Sequence, residues 1–347
     1  MNAYLEYNPD VFRGKTLLLP CDDPEWSNFT KYFATRFESL GLKKLISTSY
    51  APRANLEGAF YEPTLFETDS QQYDPEKSFE RGRLFVLEGD DLTGDGRVDL
   101  DDLQWSYLEG DGDFRSEEVT ALRDEADMVI TNPLFSKLRE YVAWLMDGGV
   151  EFSMIGPKNA ITYKEIFPLI KDNKIWLGRG FHRGNAYFRV PEAAENDYAE
   201  GVYDPEEGTV HFRNVDWFTN IDHGRRHEPL DLMTMEQNLR FGPKIVVENG
   251  YQEYVNYDAI EVPRTIAIPN DYDGLMGVPI SFLDRHNPDQ FEIVGASQEL
   301  AKRMSDIAPK GSYVQGGPRF YTSNGDGTYR RIFERLVIRH KRTDNED

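Results

Sequence analysis

The residues best suited to chemistry are Asn132, Pro133 and Phe135, in a turn that follows the apolar run 127–131. An Asn-Pro turn can present two hydrogen-bond acceptors side by side, the Asn132 side-chain oxygen and the Pro133 carbonyl oxygen. The lone pair of an aromatic amine such as adenine N6 is delocalised into the ring. Two acceptors aimed at its hydrogens would favour a tetrahedral, nucleophilic nitrogen. Phe135 could stack on a flipped-out base. The alternative is an ordinary turn followed by a core phenylalanine.

Two more polar turns follow apolar runs. Asp113 and Phe114 end an Asp-Gly-Asp-Phe turn, where the carboxylate could accept a hydrogen bond from an adenine amine and the ring could stack on the base. Asp22 and Asp23 follow the run 16–20, and a carboxylate there could meet the ammonium of a methionine moiety. The alternatives are a turn anchored by a buried phenylalanine and the capping of a following helix. All three turns follow strands of one predicted sheet, which indicates a shared site.

The elements that must position these turns alternate through the first half of the chain. Predicted strands cover 16–20, 43–49, 83–87, 127–131, 152–155 and 174–177, and predicted helices lie between Ser27 and Gly41 and over 137–146 and 163–172. Such alternation favours an α/β fold with a mostly parallel sheet and helices on both faces. Ligands of these sheets bind beyond the carboxyl ends of the strands, where the polar turns lie.

The pattern of predicted elements changes after about residue 178, where strands rich in aromatic residues and turns dominate and helices are few. Predicted strands cover 186–191, 209–214, 244–249 and 264–269, and a hairpin is predicted around 324–327. We therefore predict an α/β domain over 1–178, with an acidic insertion at about 89–110, and a β-rich second domain over 179–347.

Longer stretches of the sequence indicate a protein family more specifically than any single turn does. The chain resembles the EcoRI-type adenine-specific DNA methyltransferases from about residue 17 to residue 295, in TNPLFSKLREYVAWLM, IGPKNAITYKEIFPLIKDNKIWLG, WFTNIDHGRRHE and IPNDYDGLMGVPISFLDRHNPDQFEIVG. The resemblance implies a Rossmann-like domain that binds S-adenosylmethionine (SAM), an adenine pocket at the Asn-Pro turn and a downstream target-recognition region.

The resemblance also implies roles for the residues of the three turns. Asn132, Pro133 and Phe135 would be catalytic. Asp113 and Phe114 would bind the adenine ring of SAM, and Asp22 or Asp23 would bind its methionine end.

Two features of the chain depart from the family pattern. The family's usual turn is Asn-Pro-Pro-aromatic, and here Leu134 replaces the second proline. The replacement keeps both hydrogen-bond acceptors but makes the turn less rigid. We therefore expect reduced methyl-transfer activity. No glycine-rich loop follows the first predicted strand, and no acid that could bind a ribose ends the second.

Composition and charge limit where the protein could act and what it could bind. The chain has 347 residues, a net charge of −22 and one cysteine, Cys21. A DNA-binding protein usually has a basic surface; here acidic residues crowd 57–127, while arginine and aromatic residues cluster in 179–189, 213–227 and 330–342. No apolar run could span a bilayer, the N-terminus lacks an apolar signal core, and one cysteine forms no internal disulfide. We expect a cytoplasmic monomer.

An acidic stretch follows the spacing of a calcium-binding loop. Its oxygen ligands would include Asp91, Asp95 and Asp102, with Gly96 at the sixth position. Asp102 stands in place of the usual bidentate glutamate. The alternative is a solvated acidic turn, and a bound calcium ion would order the loop without taking part in methyl transfer.

Several later residues suit a nucleic-acid partner. Trp217, Arg225 and Arg226 are expected DNA contacts, because arginine meets phosphates and aromatic rings stack on the bases of an opened strand. Ordinary packing is the alternative for Trp217. Four arginines near the C-terminal end could track a phosphate backbone or form a solvated face: Arg330, Arg331, Arg335 and Arg339.

These features predict an enzyme that binds double-stranded DNA, flips out an adenine and transfers a methyl group from SAM to its N6 amine. A cognate restriction endonuclease would be its partner system. One alternative is another Asn-Pro-type methyltransferase that acts on RNA or protein, although such chains generally lack a large β-rich second domain. Another is a catalytically weakened member of the family that binds DNA only.

Overall fold

The computed structural model describes residues 1–24, 27–51, 68, 70, 72–180, 185–189 and 203–341. Parts of the predicted acidic stretch 57–127, of the arginine clusters 179–189 and 330–342, and of the predicted strand 186–191 lie outside these residues. The described residues form two compact units. The first unit comprises Met1–Ile170 and Ile175–His223, and the second comprises Lys171–Lys174 and the chain from Gly224 onward. The division differs from the predicted boundary after residue 178, because Lys171–Lys174 belong to the second unit and Ile175–His223 belong to the first.

The first unit contains a large mixed sheet with four parallel strands at its centre and a small antiparallel sheet. Its strands are β1 (Thr16–Leu19), β2 (Lys44–Ser49), β3 (Arg83–Leu87), β4 (Gln104–Tyr107), β5 (Met128–Thr131), β6 (Glu151–Pro157), β7 (Trp176–Leu177), β8 (Asn185–Arg189), β9 (Tyr203–Asp204), β10 (Thr209–Arg213) and β11 (Val215–Thr219). Eight of them form one sheet in the order β4-β3-β2-β1-β5-β6-β11-β7. The other three form a small antiparallel sheet in the order β8-β10-β9. The predicted Rossmann-like α/β class is confirmed.

The parallel core of the large sheet consists of β2, β1, β5 and β6. All four residues of β1 and of β5 are buried, as expected for central strands covered on both faces. From β1 the chain passes to β2 on one side, and β5 pairs with β1 on the other. A topological switch point therefore lies between β1 and β5, which is where open α/β sheets bind ligands.

Two strands of this sheet were not predicted as part of it. β4 lies within the predicted acidic insertion and pairs with β3, which runs antiparallel to β2. β11 was assigned to the second domain, yet it lies between β6 and β7 and is antiparallel to both. The predicted strands at the positions of β1, β2, β3, β5, β6 and β7 are confirmed.

Short helices flank the strands in the first half of the chain: α1 (Asn2–Tyr7), α2 (Asn28–Thr35), α3 (Phe37–Leu40), α4 (Pro75–Ser78), α5 (Glu117–Glu125), α6 (Leu138–Gly148) and α7 (Phe167–Lys171). The predicted helix between Ser27 and Gly41 is divided at Arg36, whose φ of −111° and ψ of 14° are not helical. The Ser27 hydroxyl caps α2, and Gly41 ends α3 with a φ of 64°. Among the described helices, none has the length and apolar character needed to cross a bilayer.

The second unit has a four-stranded sheet in the order β12-β13-β17-β14, and its elements are β12 (Ile260–Glu261), β13 (Met276–Pro279), β14 (Phe291–Ala296), β15 (Tyr321–Ser323), β16 (Tyr329–Arg331), β17 (Arg335–His340), α8 (Met235–Phe241), α9 (Lys244–Asn249) and α10 (Ser297–Leu300). β15 and β16 form the predicted hairpin around 324–327.

Two predicted strands of this unit are wrong. Residues 244–249 form α9, in which Val246 is fully buried and the flanking Ile245 and Val247 are exposed. One buried face beside an N-terminal proline suits a short helix better than an alternating strand. Residues 264–269 contain a 3-10 turn, because prolines just before and at the end of this run remove two donors from any strand ladder.

Candidate active site

The switch point brings together the turns that follow β1 and β5. Because these strands are adjacent and parallel, with Leu18 opposite Val129, the chain leaves both at the same edge of the sheet. The Thr131 hydroxyl donates a hydrogen bond of 2.6 Å to the Pro20 carbonyl oxygen and ties the two turns together. The Asp22 backbone amide donates to the carbonyl oxygen at the penultimate position of β2, at 2.8 Å.

The third predicted turn reaches the same edge by a different route. Asp113 follows β4 and not β3, because β3 runs antiparallel to β2 and β4 reverses the direction again. The turn is held against the end of β2 by a 2.7 Å hydrogen bond from the Ala51 amide to the Asp111 carbonyl oxygen. Gly112 has a φ of 83°, and a β-carbon there would collide with the Ser49 carbonyl oxygen. Only glycine permits this close approach.

Three of the four residues of the Asn-Pro turn lie at the surface. Asn132 is exposed, Pro133 is buried, and the Leu134 and Phe135 side chains are 53% and 39% exposed. Within the described residues, neither the Asn132 side chain nor the Pro133 carbonyl oxygen takes part in a hydrogen bond, whereas the fully buried Thr131 anchors the turn. Both acceptors are therefore unengaged by the described part of the chain, and the Asn132 side chain is exposed as well.

Asp22 is a buried carboxyl group that forms no ion pair within the described residues. Its side chain accepts a 2.8 Å hydrogen bond from the Ser27 hydroxyl through Oδ1, while the buried Oδ2 has no hydrogen-bond partner in the described part of the chain. Burial raises the pKa of Asp22 to about 7, and favourable interactions with Ser27, Thr131 and the Asn132 backbone offset only part of that effect. The neighbouring Asp23 differs, because it forms an ion pair with Arg83. Of the two candidates, Asp22 is the one that has no cationic partner in the described part of the chain.

Asp113 is already engaged by protein groups. Arg115 donates to its carboxylate from the backbone amide, Nε and Nη2 at 2.8, 2.9 and 2.6 Å. This arginine holds the pKa of Asp113 below its ordinary value, and it also donates to Glu140 at the start of α6, at 2.6 Å.

Phe114 is only 1% exposed, and its ring packs against the rings of Tyr141 and Trp144 at centroid distances of 4.7 and 5.5 Å. Its expected stacking on the adenine of SAM is therefore wrong, because protein side chains already cover the ring. The alternative, a turn anchored by a buried phenylalanine, describes this residue.

Three side chains beneath these turns were not predicted as part of the site. Cys21 adopts a φ of 69° and makes the tight turn after β1 that a glycine would otherwise make. Burial raises the pKa of its thiol to about 12, and burial likewise raises that of the Tyr50 hydroxyl beside it. The Tyr141 hydroxyl is buried near Asp22 and Thr131 without a hydrogen-bond partner in the described residues. Helical spacing could have marked Tyr141 as a core residue but not the direction of its hydroxyl.

Comparison with known proteins shows the family of the chain. The family model described as adenine-specific methyltransferase EcoRI matches residues 1–341. The chain belongs to this family. It is an adenine-specific DNA methyltransferase, as its resemblance to the family implied.

Named relatives agree with the family. The chain is similar to the type II methyltransferase M.EcoRI of Escherichia coli, with 41% identity over 90% of this chain and 87% of that protein. It is also similar to the type II methyltransferase M.MpnI of Mycoplasma pneumoniae, with 30% identity over 82% of this chain and 76% of that protein. No solved structure matches the chain.

Two of the three expected DNA contacts are core residues. Trp217 lies in β11 with 8% exposure, and its ring packs against Phe29 at 5.7 Å, so ordinary packing describes it. Arg226 is 7% exposed and donates a hydrogen bond to the Asn173 side chain within the second unit. Both expected contacts are wrong, because neither side chain is open to a nucleic acid. Arg225 is exposed and stays a prediction.

The acidic loop is closed by its own backbone. The Asp91 carboxylate accepts hydrogen bonds from the amides of Gly94, Asp95 and Gly96, and the Asp102 carboxylate accepts from three further amides of the loop. The described part of the chain holds no group of three or more histidine, cysteine, aspartate or glutamate side chains that could bind a metal ion. The geometry therefore gives no support to the calcium site expected at Asp91, Asp95 and Asp102.

Proposed function

We propose that the Asn-Pro turn is the methyl-transfer centre and that it acts on the N6 amine of an adenine flipped out of double-stranded DNA. The observation that carries this proposal is the pairing of two features across the switch point. On one side, Asn132 and Pro133 offer acceptors with no hydrogen-bond partner among the described residues. On the other, the Asp22 carboxyl group is buried and has no cationic partner among the residues that the structure describes.

The residues around Asp22 fit the methionine end of SAM. A buried carboxylate is costly unless a positive group lies beside it, and the ammonium of SAM is such a group. Asp22 would hold that ammonium, since the Asp23 carboxylate is already paired with Arg83. Asp113, at the neighbouring turn, would accept from the adenine amine of SAM at the part of its carboxylate that Arg115 leaves open. When bound, SAM supplies a methyl group activated by its sulfonium.

The chemistry left to the protein is to make the target amine nucleophilic. The Asn132 oxygen and the Pro133 carbonyl oxygen would accept the two N6 hydrogens and favour a lone pair localised on nitrogen. The same two oxygens would stabilise the positive charge that develops on that nitrogen during transfer. The half-exposed Phe135 ring would hold the flipped base by stacking.

Asn132→Ala tests the centre. Removing one preorganised polar group from a developing charge costs about 100- to 1000-fold in turnover, so methyl transfer should fall by at least that factor. Labelled SAM and duplex DNA measure the transfer, and calorimetry should show SAM affinity close to that of the unaltered enzyme. Asn2→Ala, at another exposed asparagine of the first unit, is the matched control and should keep full activity. A fully active Asn132→Ala enzyme would contradict the mechanism.

The identity of the methylated group separates this proposal from the alternatives. Duplex DNA, RNA and protein are offered in parallel with labelled SAM, and N6-methyladenine should form in the DNA alone. We also propose that the enzyme is a cytoplasmic monomer that protects the sites of a cognate restriction endonuclease. Its relatives are named as type II enzymes. Light scattering tests the monomeric state, fractionation of expressing cells tests the location, and the resistance of methylated DNA to digestion tests the protection.

A further inference from the structure

We propose that a groove in the second unit binds the phosphate backbone of duplex DNA. This inference rests on the proposed function, because it takes DNA as the substrate. The groove encloses about 450 Å³, and its lining includes Lys302, Arg303, Tyr313, Gly316, Gly317 and Arg319. We call it the cationic groove.

The charge of the groove is opposite to that of the chain. The whole chain carries a net charge of −22, yet no acidic side chain is among the described residues that line the groove. Lys302 and Arg303 are exposed and form no ion pair within the described residues, whereas Arg319 is held by Glu334 at 2.8 Å. Unpaired cations gathered in one depression are the electrostatic feature that attracts a phosphodiester chain.

The walls of the groove are held in place before any ligand binds. Asn256 is 1% exposed, and its side-chain amide donates to the carbonyl oxygens of Lys302 and Arg319, at 2.9 and 2.8 Å. Its side-chain oxygen accepts from the Tyr321 amide at 3.0 Å. The Tyr321 hydroxyl in turn donates to the Val314 carbonyl oxygen at 2.8 Å. One buried side chain thus joins both walls, and a preformed site loses less entropy on binding.

The floor of the groove offers backbone donors. Within the described residues, the amides of Gln315, Gly316 and Gly317 donate no hydrogen bond. Backbone N–H groups are common phosphate ligands in DNA complexes. The two glycines carry no side chain to keep a phosphate away, and the Arg331 guanidinium lies directly against Gly316.

Three of the four C-terminal arginines are engaged by other side chains of the second unit. Arg335 forms a bidentate ion pair with Glu261, and Arg339 pairs with Glu292 at 2.7 Å. Arg330 donates to the Gln252 side chain at 3.0 Å. Of the four arginines that the sequence singled out, Arg331 is therefore the one placed to reach a phosphate at the groove.

The double variant Lys302→Ala/Arg303→Ala tests the proposal. Binding to a duplex without a methylation site is measured over a series of salt concentrations. The slope of log affinity against log salt should fall by about one for each phosphate that the variant no longer neutralises. The control is Arg240→Ala/Lys244→Ala, which removes the same charge from exposed positions of α8 and α9 in the same unit. Its slope should stay that of the unaltered enzyme.

Melting curves, SAM affinity and turnover distinguish a loss of DNA binding from a loss of folding or of chemistry. All four substituted side chains are exposed, so melting curves should be unchanged. The affinity for SAM and the turnover at saturating DNA should also be unchanged, since the groove positions DNA and takes no part in chemistry. A double variant with the slope of the control overturns the groove proposal, as does a slope that changes for duplex RNA alone. Absence of adenine methylation by the unaltered enzyme overturns the proposed function instead, whatever the slopes.

Discussion

Replacing Asp22 with asparagine should stabilise the first unit at neutral and alkaline pH while weakening SAM binding. The carboxyl group is 5% exposed, and its pKa rises from 3.8 to about 7 on folding. Because the folded-state pKa lies above the unfolded one, the folded state binds the proton more tightly. Stability is therefore lost as pH rises between these two values, and the full loss is present above pH 7.

The size of this loss follows from the two pKa values. The interval from 3.8 to about 7 corresponds to about 4 kcal/mol of unfolding free energy. Asparagine does not titrate, and it keeps an oxygen that can accept from the Ser27 hydroxyl. The variant should therefore gain little over the unaltered protein near pH 4 and about 4 kcal/mol near pH 8.

Urea unfolding at about pH 5 and about pH 8, without SAM, measures this difference. The advantage of Asp22→Asn should grow by about 2 kcal/mol or more between the two conditions. SAM affinity of the unaltered enzyme should fall as pH drops below 7, while that of the variant should be weak at every pH. Asp23→Asn is the control and should destabilise the unit, because it breaks the ion pair with Arg83. An advantage of equal size at both pH values would refute the assignment of an uncompensated charge to Asp22.

The remaining predictions concern the Asn-Pro turn and its neighbour. Leu134 has a φ of −60° and its amide donates no hydrogen bond in the described residues, so Leu134→Pro should add about 0.4–1 kcal/mol of stability and raise single-turnover rates. Unchanged rates would show that rigidity at this position does not limit transfer. Phe114→Ala should cost about 3–5 kcal/mol in urea unfolding, whereas the exposed Phe135→Ala should leave stability nearly unchanged and raise the KM for DNA. The reverse pattern would mean that the two rings have been assigned the wrong roles.

The sequence could predict the strands that carry the site because these strands are buried on both faces. β1 and β5 are short unbroken apolar runs, and a polar turn directly after each of them is visible without any structure. The place of Asn132 at a sheet edge follows from these two facts and the general rule for open α/β sheets. The same reasoning located Asp22, although not the burial of its carboxyl group.

What the sequence could not supply depends on contacts between distant residues. Phe114 and Trp217 look like ligand-facing rings until their packing partners, such as Tyr141 and Phe29, are known. The chain around Arg226 looks like an exposed basic loop, yet the side chain is buried against Asn173. The assignment of α9 failed for a related reason, since β-branched residues favour strands locally and tertiary packing decided otherwise.

The insertion of β11 between β6 and β7 has a consequence for how the enzyme is made. During synthesis, β6 leaves the ribosome long before residue 215, and until then its outer edge has no neighbour to complete the ladder. An uncovered edge of this kind readily pairs with the wrong chain. The sheet of the first unit cannot be completed until a segment far along the chain returns to it, and such distant pairing slows folding. A gene fragment cut at residue 178 would thus encode a sheet in which β6 permanently lacks its partner β11.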